Sequence, residues 1–233
     1  VPKLKIVRAR QFGFKIKRPS KQQTWRILLF VVGLSLIIWG SLQFFHRHQA
    51  ISGPAALDLK QTVTRSTNKP DEAKVDPKDP GYDVPPDQPK TIILPTLGVS
   101  GLIQKVGVDE QHRIAVPGNI NVAGWYVNSV KPGQPGLSII DGHVHGVYAP
   151  GIFEKLGQLK AGDPLAIEFG DGHTVKFTVV SREDMSAEDA NQKIYHKDTP
   201  INAQLNLMTC SGTYDKGKAE YTNRLLVVAK PVS

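Results

Sequence analysis

A mostly β domain, barrel or sandwich, is the fold expected over residues 90–233 of this 233-residue chain. Three observations predict it. Apolar runs of strand length recur through the segment and are broken by Gly, Pro, Asn and Asp. Helical patterns are short and few. The segment is long enough to bury one sizeable core.

The expected strands are residues 91–94, 102–108, 114–116, 137–143, 164–169, 174–183, 204–209 and 224–228. The second ends at the turn signal Val108-Asp109-Glu110, and the fourth begins after Lys131-Pro132-Gly133-Gln134-Pro135-Gly136. Gly170-Asp171-Gly172 stands between two alternating runs and reads as a tight hairpin. Helical turns are expected at 152–156 and 187–195. Eight short strands with so little helix favour a barrel or sandwich.

The rest of the chain reads differently. Residues 27–45 carry no charged side chain, and nineteen helical residues span about 28 Å, close to a bilayer's hydrocarbon thickness. Nine basic residues and no acidic one precede that run. By the positive-inside rule, residues 1–26 form a cytoplasmic tail, 27–45 a single-pass transmembrane anchor, and everything beyond lies outside the cell. Residues 46–89 hold seven prolines and one aromatic residue, Tyr82. Such a stretch reads as a linker, with a short helix at 55–63, that holds the domain off the membrane. As a flexible coil it would average roughly 35–40 Å end to end, and proline stiffening lengthens that.

The charge balance removes one class of partner. The chain carries +8, but residues 1–26 alone supply +9, and from Lys90 onward fourteen basic residues meet fourteen acidic ones. The high pI therefore belongs to a topology signal, and the domain offers no basic excess to nucleic acid.

Cys210 is the only cysteine. Outside the cell a lone thiol is either a small buried side chain or a reactive group. Cys210, His143 and Arg224 each fall at or just past the end of an expected strand. A thiolate can attack a carbonyl, an imidazole can protonate the departing amine, and a guanidinium can hold the oxyanion. The opposing reading makes Cys210 core, His143 a loop residue and Arg224 a surface cation. Asp141, His143 and His145 alternate along one extended segment and share a face. They resemble a metal triad only weakly, because no third histidine has ligand spacing. Asp141 and His145 fit better as groups that orient His143 or line the groove.

Leu207-Met208-Thr209-Cys210 resembles the Leu-x-Thr-Cys nucleophile motif of sortases, the transpeptidases that join proteins to cell walls. Asp141-Gly142-His143-Val144 is similar to their Gly-His segment, and Asn223-Arg224 before Leu225-Leu226-Val227-Val228-Ala229 to their arginine strand. Ile92-Ile93-Leu94-Pro95, Val116-Pro117, Gly124-Trp125-Tyr126, Pro132-Gly133-Gln134-Pro135-Gly136 and Phe153-Glu154-Lys155-Leu156 follow the family's order across residues 90–233. The Gly-Trp-Tyr and Gly-His-Val features are closest to class F, with classes E and D less close. Asp141 and His145 depart from the usual class F residues.

The resemblance implies a closed eight-stranded β-barrel and a thiol transpeptidase whose chemistry needs no cofactor. Cys210 would attack the Thr–Gly carbonyl of a Leu-Pro-x-Thr-Gly-like sorting signal. Arg224 would hold the oxyanion, His143 would protonate the leaving amine, and Thr209 would help position substrate. An amine of a cell-wall precursor or another protein would then take the acyl group. An exported cysteine hydrolase and a non-catalytic binding barrel are the other readings of these residues.

Overall fold

The computed structural model describes Gln22, residues 59–67 and residues 69–232. Within the compact unit Pro54–Ser233, eight strands close into a barrel: β1 (Pro89–Leu94), β2 (Val99–Val106), β3 (Ala123–Tyr126), β4 (Gly136–Gly142), β5 (Pro164–Phe169), β6 (Thr174–Ser186), β7 (Ala203–Asp215) and β8 (Glu220–Pro231). Their order around the barrel is β1-β2-β3-β4-β7-β8-β6-β5. The pairs β2/β3 and β4/β7 are parallel and all others antiparallel. Closure leaves no free edge, so every strand has a neighbour on both sides.

Strand alternation explains the core. Ile92 and Leu94 of β1, Ile103 of β2, Ile140 of β4, Leu205 and Leu207 of β7, and Leu225, Val227 and Ala229 of β8 point into one buried cluster. Phe153, Leu156 and Leu159, from the connection after β4, pack into the same cluster. The β5–β6 turn is the tight hairpin expected, with Gly172 at φ +84° and its N–H donating to the Phe169 carbonyl at 2.9 Å.

Two element assignments change. Residues 114–116 are not a strand. They lie in the crossover between parallel β2 and β3, where Ile114 makes only an isolated bridge to Val108. The Ala115 and Val116 N–H groups are taken by the Gly107 carbonyl and the Ser66 hydroxyl. The eighth strand is instead Ala123–Tyr126, too short to carry an alternation. Near 152–156 the chain makes turns followed by a 3₁₀ turn at Leu156–Gln158. The helix expected from 187 is α1 (Ala187–Lys193), capped by Ser186, whose Oγ accepts from the Asp189 N–H.

The proline-rich segment is not a free tether over its described part. Leu59 and Tyr82 are buried against Leu102 and Val122 on the outside of the barrel. The Tyr82 hydroxyl donates to the Ile103 carbonyl, and burial pushes its pKa up to about 12. Val63 bridges Val106, and Asp71 bridges Asn119. Polar composition hid these contacts because most are made by main chain. Residues 59–63 form no helix. The anchor expected at 27–45 lies outside the described residues, among which no helix is long and apolar enough to cross a membrane.

Candidate active site

Side-chain parity puts the site on the outer face. On β7, Leu205 and Leu207 point inward, so Met208 and Cys210 point outward. On β8, Leu225 and Val227 point inward and Arg224 outward. On β4, Ile140 points inward and Asp141 outward, with His143 two residues further on.

Register then aligns these residues. Cys210 and Arg224 are direct partners across antiparallel β7 and β8. On its other side β7 runs parallel to β4, with Asp141 opposite Met208. Carried two residues past that pair, the same register sets His143 beside Cys210. Thr209 supports it: its hydroxyl donates to the Gly142 carbonyl at 2.7 Å, one step before His143. His143, one residue past the end of β4, thus continues the line of Cys210 on β7 and Arg224 on β8.

All six residues singled out from sequence, Asp141, His143, His145, Thr209, Cys210 and Arg224, line one cleft of about 880 Å³. Arg224 is anchored. Its Nη1 donates to the Tyr221 and Asn223 carbonyls, each at 2.9 Å, and its Nη2 donates to Glu220 Oε1 at 2.5 Å. A guanidinium has five N–H groups, so two remain for an incoming oxygen. His143 Nε2 lies 2.7 Å from the Pro117 carbonyl oxygen. A carbonyl only accepts, so Nε2 carries a proton and Nδ1 is left to take and give one.

Protonation follows from burial. Desolvation pushes the Cys210 thiol up, the Arg224 charge pulls against it, and Asp141 and Glu220 push further up. Desolvation also holds His143 below the usual imidazole range, against the opposing pull of the Pro117 hydrogen bond. The resting pair is therefore neutral thiol and neutral imidazole, and thiolate–imidazolium is the minor form.

Asp141 is fully buried, and desolvation raises its pKa well above the carboxylate range. Among the described residues its Oδ1 has no hydrogen-bond partner. That oxygen lies over Gly124, where an added Cβ would come within 2.4 Å of it and 2.9 Å of Pro117 Cδ. His145 approaches Glu154 at 3.8 Å with both side chains half exposed, so neither it nor Asp141 holds the His143 ring; Pro117 does. Thr209 is buried with its proton committed to the main chain, which suits bracing the end of β4 better than touching substrate. Asp141, His143 and His145 do not converge on an ion position: among the described residues no three His, Cys, Asp or Glu side chains are grouped to hold a metal.

Sequence reasoning missed Glu220 and the role of the Pro117 carbonyl. Glu220 precedes Arg224 by four residues in a segment with no helical signal, and a main-chain acceptor leaves no trace in residue identity. Tyr214 and Tyr221, edge to face at 5.2 Å, also line the cleft.

A closed barrel that presents a thiol between a histidine and an anchored arginine is the framework of a thiol acyl-transfer enzyme. A family model described as Sortase domain matches residues 92–232, more than half of the chain. The chain belongs to the sortase family, whose members are cysteine transpeptidases.

Among solved structures it is similar to sortase A from Corynebacterium diphtheriae, at 25% identity and TM-score 0.48, covering 64% of this chain and 63% of that one. It is also similar to sortase C-1 from Actinomyces oris, at 24% identity and TM-score 0.47, covering 71% and 91%. A third is a Clostridium perfringens sortase D5 transpeptidase, at 18% identity and TM-score 0.47, covering 66% and 84%. The chain spans just under two thirds of the Corynebacterium protein. These neighbours are of classes A, C and D, and none is of class F. Among curated proteins none matches.

Proposed function

We propose that this chain is a membrane-anchored transpeptidase that cleaves a Leu-Pro-x-Thr-Gly-like sorting signal between Thr and Gly and passes the acyl group to an amine. The observation that carries it is the row of His143, Cys210 and Arg224 in one cleft. The Cys210 proton moves to His143 Nδ1, and Sγ bonds to the threonine carbonyl carbon. The oxyanion falls to the two N–H groups that Arg224 keeps free. The imidazolium gives its proton to the glycine nitrogen as the C–N bond breaks, which leaves a thioester. A second amine attacks the thioester and loses its proton to His143, and Cys210 leaves as the thiolate, which takes that proton back from the imidazolium.

Substrate proteins bearing such C-terminal signals, and an acceptor amine of a cell-wall precursor or another protein, are the partners this chemistry calls for. Residues 27–45 and the basic tail support a single-pass protein of a Gram-positive-type cell membrane, with its N-terminus in the cytoplasm and the barrel outside. The class F reading rests on Gly124-Trp125-Tyr126 and Gly142-His143-Val144 alone.

Mass spectrometry of a Leu-Pro-x-Thr-Gly peptide incubated with the protein and an added amine tests the reaction. A peptide–amine product is expected. A truncated acid as the sole product would make the protein a hydrolase instead, and an intact peptide would contradict the substrate class.

A further inference from the structure

Two adjacent residues ahead of the barrel reach both sides of His143. The Asp71 N–H donates to the Gly118 carbonyl at 2.7 Å, and its carbonyl accepts from the Ile120 N–H at 2.9 Å. That pairing fixes the stretch just after Pro117, whose carbonyl holds the His143 ring. The next residue, Glu72, turns to the other side. Its carboxylate accepts from the Val147 N–H, and from the Tyr148 N–H at 3.0 Å.

Val147 and Tyr148 are the tip of the loop that leaves β4 through His143. The loop is closed on itself, with the Gly146 N–H donating to Ala149 at 2.8 Å and the Gly151 N–H to Val144 at 2.9 Å, so a hold on its tip acts on the whole loop. The tip is shaped for a carboxylate: a Cβ on Gly146 would stand 2.5 Å from Glu72 Oε1, a separation that real Cβ atoms do not adopt. The same segment walls the cleft through Ser66, Thr67 and Pro70.

We propose that Glu72, together with the Asp71 main chain, is a positioning residue for His143, clamping the loop that carries the imidazole to the loop that supplies its acceptor. This rests on the reading of His143 as the proton carrier. Two charge-assisted bonds to main-chain N–H groups are strong enough to order an exposed loop tip. A proton donor displaced by about 1 Å loses much of its advantage, on the order of 100-fold. The residues responsible lie outside the matched family segment, which begins at residue 92.

The test compares Glu72→Ala and Glu72→Gln in the full chain, by amide exchange at Val147 and Tyr148, by the ¹⁵N signal of the His143 ring, and by kcat and KM for a sorting peptide. In Glu72→Ala the two amides exchange faster, the ring loses the hydrogen-bonded Nε2 signal, and kcat falls at least about 10-fold with KM within about 2-fold. Glu72→Gln keeps an acceptor oxygen and recovers the ring signal and most of kcat. Unchanged amides in Glu72→Ala overturn the clamp. Faster amides with an unchanged ring signal overturn its positioning role. Both spectroscopic readouts stand without turnover. A wild type that shows the clamp but processes no peptide therefore counts against the proposed reaction and not against the clamp.

Discussion

Cys210 and Arg224 are direct partners across β7 and β8, which fixes the thiol beside a guanidinium that Glu220 and two main-chain carbonyls already hold in place. The pairing sets two opposed effects on one sulfur. Burial makes the thiolate rare, while Arg224 makes it less rare and waits for the oxyanion that forms when the thiolate reacts.

The first prediction concerns that sulfur. Alkylation of Cys210 by iodoacetamide should follow a pKa above that of an ordinary thiol, so labelling at neutral pH is slower than for free cysteine. Arg224→Ala removes the favourable charge and moves the midpoint higher. Glu220→Gln removes an unfavourable one and moves it lower. Labelling rates across a pH series measure all three. In turnover, Arg224→Ala should cost about 10²–10³ in kcat, the scale of a lost oxyanion donor.

A second prediction follows from His143 and Cys210 together. The active form needs imidazolium and thiolate at once. It declines below the lowered pKa of His143, where the thiol is protonated too, and above the raised pKa of Cys210, where the imidazole is also deprotonated. The profile of kcat/KM against pH should be a broad bell. Its acid limb falls below the usual histidine range and its alkaline limb above the usual thiol range. A narrow bell centred between ordinary values would contradict the protonation assignment.

Much of this site was legible in the sequence because its members are unusual side chains at strand ends. Cys210, His143 and Arg224 announce themselves by chemistry, and alternation in Leu205–Leu207 and Leu225–Val227 assigns their face. What was hidden is made of main chain or of short elements. Ala123–Tyr126 is four residues long and includes Gly124, so no period could reveal it, whereas the apolar run 114–116 imitated a strand while serving a loop. The described part of the proline-rich segment looked like a tether because its apolar contacts, Leu59 and Tyr82, stand far apart in sequence, and the rest of its hold, through Val63, Asp71 and Glu72, depends on peptide groups and one carboxylate.

A third prediction uses Asp141 as a buried acid. Its folded pKa lies well above its unfolded value, so its protonated form favours the fold fully below the unfolded pKa. That stability is lost as pH rises from there through the folded pKa. Asp141→Asn removes the ionisation. It should raise the melting temperature at neutral pH, by roughly 2–4 °C for each kcal/mol recovered, with the two proteins converging near pH 3. Thermal unfolding at both pH values checks it; a constant difference would refute the titration.

Gly124→Ala supplies a fourth. The new methyl group would press on Asp141 Oδ1 and on Pro117, so the protein should lose about 1–3 kcal/mol of stability, the cost of overpacking. Pro117 is also the acceptor for His143, so kcat should fall even below the melting range. Denaturant titration and steady-state kinetics on one preparation separate the two effects.

The most direct test of the central claim is the intact mass of the protein after brief mixing with a Leu-Pro-x-Thr-Gly peptide and no added amine. The expected result is an acyl adduct that maps to Cys210, disappears when an amine is added, and never forms in Cys210→Ala. Cleavage of the peptide by Cys210→Ala at the wild-type rate, or turnover without any adduct on Cys210, would contradict it.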